Sequence, residues 1–123
     1  MLYAVLIYDL EAEVGTLSPD RLDELISRHE KVQGKLAAEN KLGPVVRLMP
    51  TTSARTLKQK PESMIVDGPF AETKEQLLGF YVVDCPNERE AMDAARLIGG
   101  ACNARTLEVR PVHLYYPAPN AAK

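Results

Sequence analysis

A chain of 123 residues is long enough to bury a core and too short for two domains of ordinary size. Its 46% hydrophobic and 26% charged content is globular, and a formal net charge of -2 with scattered Lys and Arg argues against direct nucleic-acid binding, which needs a concentrated basic face. No stretch approaches the roughly 20 apolar residues that span a bilayer, the N-terminus lacks the positive region of a signal peptide, and Cys85 and Cys102 fit neither a CxxC nor a zinc pattern. The expectation is a cytoplasmic protein with two reduced thiols, no membrane association and no structural metal.

Residues 2 to 8 are apolar on both parities, which predicts a central strand covered on both faces. The acidic stretch from Asp9 to Leu17 reads as a loop. It ends at Ser18-Pro19-Asp20, a helix start with Ser as N-cap, Pro at the first helical position and acids near the positive end of the dipole. The helix is expected to reach about Asn40, with Leu22, Leu25, Ile26, His29, Val32 and Leu36 as its buried stripe and Gly43 following its end. His29 is the odd member of that stripe.

Pro44 to Pro50 reads as a second strand, with Val46 and Leu48 on one face and Val45, Arg47 and Met49 on the other. Residues 54 to 58 and 63 to 67 read as an inserted hairpin around a turn at Gln59-Lys60-Pro61-Glu62. Leu77 to Asp84 is another strand apolar on both parities. Asn87 and Glu90 form a capping-box arrangement opening a second helix, whose stripe is Ala91, Ala94, Ala95 and Ile98 and whose end is expected at Gly99-Gly100. A last strand from about Thr106 to Val112 continues loosely to Tyr116, and the tail 117–123 has little to bury and is expected to fray, leaving one domain over residues 1–116.

Without the insert the order is β-α-β-β-α-β, an α+β ferredoxin-like arrangement. Two helices cover only one face of such a sheet. Strands apolar on both faces therefore need a cover that this chain does not contain, and a second copy about a two-fold axis supplies it most simply, giving a homodimer.

Between the hairpin and the strand at Leu77 lies Asp67-Gly68-Pro69-Phe70-Ala71-Glu72-Thr73-Lys74-Glu75, a tight turn carrying four ionisable side chains and a Phe. Asp and Gly are turn residues, Gly by taking positive φ without steric cost, and Pro69 biases Gly68 away from the right-handed helical region. This stretch, with Leu78-Gly79-Phe80-Tyr81 and Glu108-Val109-Arg110-Pro111-Val112, resembles the DGPF group of the YCII-related family over about residues 2 to 115. The resemblance implies a dimeric α+β barrel. It also implies a histidine and an aspartate at the centre of a proposed active site, for which His29 and Asp67 look like the matching positions. Most members of that family have no established function.

Each candidate has a plain structural alternative. His29 is either a core histidine satisfied by backbone or a Tyr hydroxyl, or half of a dyad in which burial and the Asp67 carboxylate oppose one another and hold its pKa near neutrality. Asp67 either caps an Asx-turn or serves that dyad. Glu72, Lys74 and Glu75 are either a solvated ion-pair cluster or ligand contacts; Phe70 is read as an apolar plug holding the loop on the barrel. Arg47 and Arg110 can clamp an anion or pair within the chain, and Tyr8 and Tyr81 can present hydroxyls to a pocket or simply pack.

No nucleophile is flagged for activation and no glycine-rich phosphate loop is present. Acid-base chemistry without a cofactor is thus the simplest enzymatic reading, on a small anionic or aromatic molecule. One relative's association with dechlorination of a hydroxylated aromatic, and a muconolactone isomerase among related barrels, imply the same. The alternative is a non-catalytic ligand-binding or regulatory module, since the DGPF group often occurs alongside extracytoplasmic-function sigma factors.

Overall fold

The computed structural model describes residues 1–71 and 73–119. The elements run β1 (Leu2–Asp9), α1 (Glu11–Val14), α2 (Pro19–Ala38), β2 (Leu42–Arg47), β3 (Arg55–Lys58), β4 (Met64–Asp67), β5 (Gln76–Asp84), α3 (Glu88–Cys102) and β6 (Thr106–Pro111), with a 3-10 turn at Thr51–Ser53 before β3. The four-stranded sheet has the order β2-β5-β1-β6, and every neighbouring pair is antiparallel. Counting only these four strands, the spatial order is fourth, first, third, second, the ferredoxin-like arrangement expected from the element order. The strands β3 and β4 form a separate two-stranded sheet.

Period-two alternation sorts the sheet into two faces. Tyr3, Val5 and Ile7 of β1 and Tyr81 and Val83 of β5 turn toward the helices and are buried, meeting Val32 and Leu36 of α2 and the stripe Ala91, Ala94, Ala95 and Ile98 of α3. The opposite face carries Ala4, Leu6, Phe80, Val82 and Val46, and among the described residues the core helices α2 and α3 pack on the other side. Both central strands are therefore apolar on both parities while α2 and α3 serve only one side.

The caps explain where the helices begin. Ser18 Oγ accepts from Arg21 N at 3.3 Å, and Asn87 Oδ1 accepts from Glu90 N at 3.0 Å. Their ends differ from the sequence reading. Asn40, at φ 58°, takes the left-handed position after α2, and Lys41 N closes back on Leu36 O at 2.9 Å. Asn103, at φ 52°, does the same for α3. Asn tolerates this conformation because its short side chain bonds locally, so the glycines are released for another use. Gly43 and Gly79 sit where a Cβ would run into the carbonyls of Val82 and Val46; they permit close strand pairing. Gly99 lies inside α3, against the Leu107 side chain.

Three further expectations are corrected. The acidic stretch after β1 is not all loop, since Glu11–Val14 forms one helical turn. The α2 stripe is buried only at Val32 and Leu36, and Ile26 is 43% exposed because the N-terminal half of α2 stands off the sheet over a cavity. Phe70 is 83% exposed, so among the described residues of this chain it does not serve as a buried plug. The expected fraying of the tail concerns residues of which 120–123 lie outside the described ones.

Candidate functional site

The half of α2 that stands off the sheet roofs a cavity of about 290 Å³. Its walls come from β1, α2, β2, β5 and the end of α3. Tyr81, paired with Val5 in the centre of the sheet, is 1% exposed. Its Oη lies 2.7 Å from Nδ1 of His29 and accepts from Nε2 of Gln33 at 3.4 Å. His29 and Gln33 are four apart on α2 and so share a helix face. The two rings stack with centroids 5.9 Å apart and planes at 28°.

Burial lowers the His29 pKa from its ordinary 6.5, and the positive charge of Arg47 lowers it further. Burial likewise raises that of the Tyr81 hydroxyl, against the opposing bond from Gln33. At neutral pH the pair is therefore a neutral imidazole beside a neutral phenol. A phenol oxygen can either accept or donate, so Tyr81 can serve both the neutral and the protonated imidazole.

Arg47 reaches this cavity because it stands opposite Gly79 on β2, two residues from Val45 and on the same face as Tyr81. Gly79 itself lines the cavity beside Arg47.

The buried carboxylate of this cavity is Asp9, which the sequence reading did not single out. It is the last residue of β1 and only 7% exposed. Its Oδ1 accepts from Leu10 N at 2.8 Å and from Arg105 Nη1 at 2.6 Å. Arg105 in turn grips Glu13 through both guanidinium nitrogens, at 2.8 and 3.0 Å, and that bond lowers the Glu13 pKa. One signal could have found Asp9: Tyr3, Val5, Ile7 and Asp9 share a parity, so a strand extended by one residue puts the acid on the core face. Arg105 carries no local signal.

The structure does not bring Asp67 to His29. The Asp67 side chain is 93% exposed at the end of β4 and faces Arg55 Nε at 3.7 Å, and it is no part of the cavity wall. The reason is topological: β3 and β4 pair with each other and not with the main sheet, so the residue at their end is carried away from α2. The neighbouring charge that shifts His29 is a cation, so its pKa is lowered where an aspartate would have raised it.

Gly68 takes φ 96° and its amide donates to Ala54 O at 2.7 Å, while Thr56 Oγ1 donates to Gly68 O at 2.8 Å. The turn is thus built by the hairpin's backbone. Lys74 is exposed on the loop, and Glu72 lies outside the described residues. Tyr8 and Arg110 are on the opposite sheet face, where Tyr8 Oη donates to Glu108 at 3.5 Å and Arg110 Nε lies 4.0 Å from Glu108. Of the sequence candidates, the cavity gathers His29, Arg47 and Tyr81.

The loop is nevertheless tied to α1. Gln76 Nε2 donates to Thr73 O at 2.7 Å, while its Oε1 accepts from Glu11 N at 3.1 Å. The Glu11 carboxylate accepts from Thr51 N at 2.8 Å and Thr51 Oγ1 at 2.6 Å. One turn of helix thus anchors both ends of the inserted segment.

Burial raises the pKa of both Cys85 and Cys102, leaving protonated thiols at neutral pH. Among the described residues no group of three His, Cys, Asp or Glu side chains is placed to hold a metal ion, and no helix is long and apolar enough to cross a membrane.

An uncharacterised protein of Rhizobium meliloti (strain 1021) is 47% identical over 119 residues, covering 95% of this chain and 96% of that protein. The family model of the YCII-related domain matches residues 1–114, from the start of β1 to just beyond β6. Every wall of the cavity falls within that match, and the chain belongs to the YCII-related family.

Proposed function

We propose that this chain is a small acid-base enzyme of lyase, isomerase or hydrolase type, working without a cofactor on a small anionic or aromatic molecule. The observation that carries the reading is the 2.7 Å contact between His29 Nδ1 and Tyr81 Oη inside a cavity overlooked by Arg47. With its pKa lowered, His29 is neutral at pH 7 and free to take a proton at Nε2. The imidazolium that forms has Nδ1–H directed at Tyr81 Oη, and Arg47 holds the substrate's negative charge at the mouth. Asp9, held by Arg105, is the buried carboxylate lining the same space.

A screen of small carboxylates and phenols for metal-independent turnover tests this. Activity lost in His29→Ala, with the fold intact by circular dichroism, is the expected result. An activity that survives His29→Ala sinks it.

A second reading is a binding or regulatory module, including one linked to sigma-factor-dependent transcription. It is favoured by one observation: His29 has no carboxylate at its ring, and its Nδ1 is already satisfied by Tyr81, as a structural histidine would be. Saturable binding without turnover is its outcome in the same screen.

Either reading is proposed for one cytoplasmic domain acting as a homodimer. The sheet face bearing Leu6, Phe80 and Val46 supports the dimer, since Val46 remains 37% exposed and the core helices α2 and α3 pack on the other side. Light scattering after size exclusion should give twice the chain mass of 13.6 kDa. The two free thiols support the reducing compartment.

A further inference from the structure

From the cavity's shape and charges we infer that it selects a single-ring monoanion, a benzoate-like carboxylate or a phenolate, with Arg47 as its counter-ion and the stacked His29 and Tyr81 rings as its aromatic wall. This deepens the reading of the cavity as the working site and requires no turnover.

Size limits the occupant first. A cavity of about 150 Å³ holds one benzene, and the space here is about 290 Å³. One substituted ring fits with room for its substituents, at the small end of the range of ligand pockets. Ile7, Leu25, Ile26, Val45 and Leu78 give the remaining walls an apolar character suited to a ring.

Charge limits it next. Arg55, Arg105 and Arg110 each have a carboxylate partner, whereas Arg47 has none among the described residues. The groups that face the cavity are Asp9 from β1, Glu30 from α2, Arg47 from β2, Tyr81 from β5 and Cys102 from α3. Asp9 shares Arg105 with Glu13, so that cluster stays negative; Tyr81 and Cys102 are uncharged at neutral pH, and Glu30, like Arg47, is exposed. Arg47, exposed at the cavity's mouth, is the cation whose charge adds to burial in lowering the His29 pKa. One negative charge balances it, and a second would face Asp9 and Glu30. A guanidinium holds a planar carboxylate in two parallel bonds.

Occupancy also has a proton signature. Burial is the larger cause of the lowered His29 pKa and Arg47 the smaller; an anion on Arg47 offsets that smaller part, so the His29 pKa rises when the ligand binds. By linkage the anion then binds more tightly as pH falls through the region where His29 titrates.

Calorimetry with benzoate, benzamide, phthalate and benzylamine separates the outcomes, with NMR titration of the His29 ring alongside. Benzoate should bind at least about tenfold more tightly than its neutral, doubly charged or cationic analogues. In Arg47→Gln the benzoate affinity should fall about tenfold with benzamide within about twofold, and saturating benzoate should raise the His29 pKa in the parent protein only. Equal affinity for benzoate and benzamide overturns the inference, as does benzoate affinity unchanged in Arg47→Gln or no saturable binding at millimolar probe. Benzoate-like binding with no turnover of any anion would leave it standing while removing the acid-base reading. Turnover of neutral compounds alone would do the reverse.

Discussion

The cavity beneath α2 and the loop after β4 both collect aromatic and ionisable side chains, yet they behave as opposites. In the cavity Tyr81 is 1% exposed and its hydroxyl meets His29; in the loop Phe70 is 83% exposed and Asp67 faces an arginine that is itself largely solvated. A charge in water is screened and a ring in water packs on nothing, so the same residue types do little in the loop and much in the cavity. What separates the two is which sheet the backbone joins. Tyr81 belongs to a central strand under two helices, while Asp67 belongs to a two-stranded ribbon that pairs only with itself.

The largest effect that could break this contrast is on turnover. A positioned general base contributes about 10²- to 10⁴-fold. His29→Ala should therefore lower kcat by about that range, and Asp67→Asn should leave it within about twofold, in whatever reaction the screen finds. An enzyme that loses its activity with Asp67 and keeps it without His29 would invert the comparison, and would point to the loop acting on another copy of the chain.

Next comes stability. Tyr81→Phe removes the hydroxyl that satisfies His29 Nδ1 and the Gln33 amide, stranding two half-buried polar groups. Such a loss costs about 1–3 kcal/mol. Phe70→Ala, at an exposed site, should stay within about 0.5 kcal/mol. Urea unfolding of the two variants side by side measures the difference.

The contrast also marks how far the sequence could be read. The strands β1 and β5 were legible because both parities are apolar, and the α3 stripe because alanines recur at helical spacing; these patterns depend on neighbours in the chain. The end of α2 was legible to within two residues, although Asn40 and not Gly43 takes the left-handed position there, and the end of α3 was misplaced because Asn103 adopts the conformation that Gly99-Gly100 announced. Arg47 was legible as a charge on an apolar strand. Asp9 was hidden by its acidic neighbours, although the parity of β1 pointed to it, and Arg105 lies 96 residues from its partner with nothing local to mark it. The loop motif drew attention through composition, and composition does not say which sheet a turn is attached to.

A pH titration sharpens the comparison at a smaller scale. His29 has a folded pKa below its ordinary 6.5, so the unfolded chain takes up the proton first as the solution is acidified. Its contribution to stability is intact above the unfolded pKa and falls as pH drops from there through the folded value. Thermal melts across this window should show a decline on acidification that is shallower in His29→Gln. Asp67→Asn should leave the slope of that decline unchanged, since the charge that shifts His29 belongs to Arg47.

The smallest expected effect concerns the pair that the loop does make. Arg55 Nε and Asp67 Oδ1 are 3.7 Å apart, with side chains 76% and 93% exposed. The distance exceeds that of a charge-assisted hydrogen bond, and solvent at both ends screens the attraction, so the coupling between Arg55→Gln and Asp67→Asn should be within about 0.5 kcal/mol. Denaturant unfolding of the parent, the two single variants and the double variant closes that cycle. A coupling well above this value would mean that the ribbon is desolvated in solution. The exposed Leu57 and Ile65, which face one another across β3 and β4, would then have a cover that a single copy of the chain does not provide.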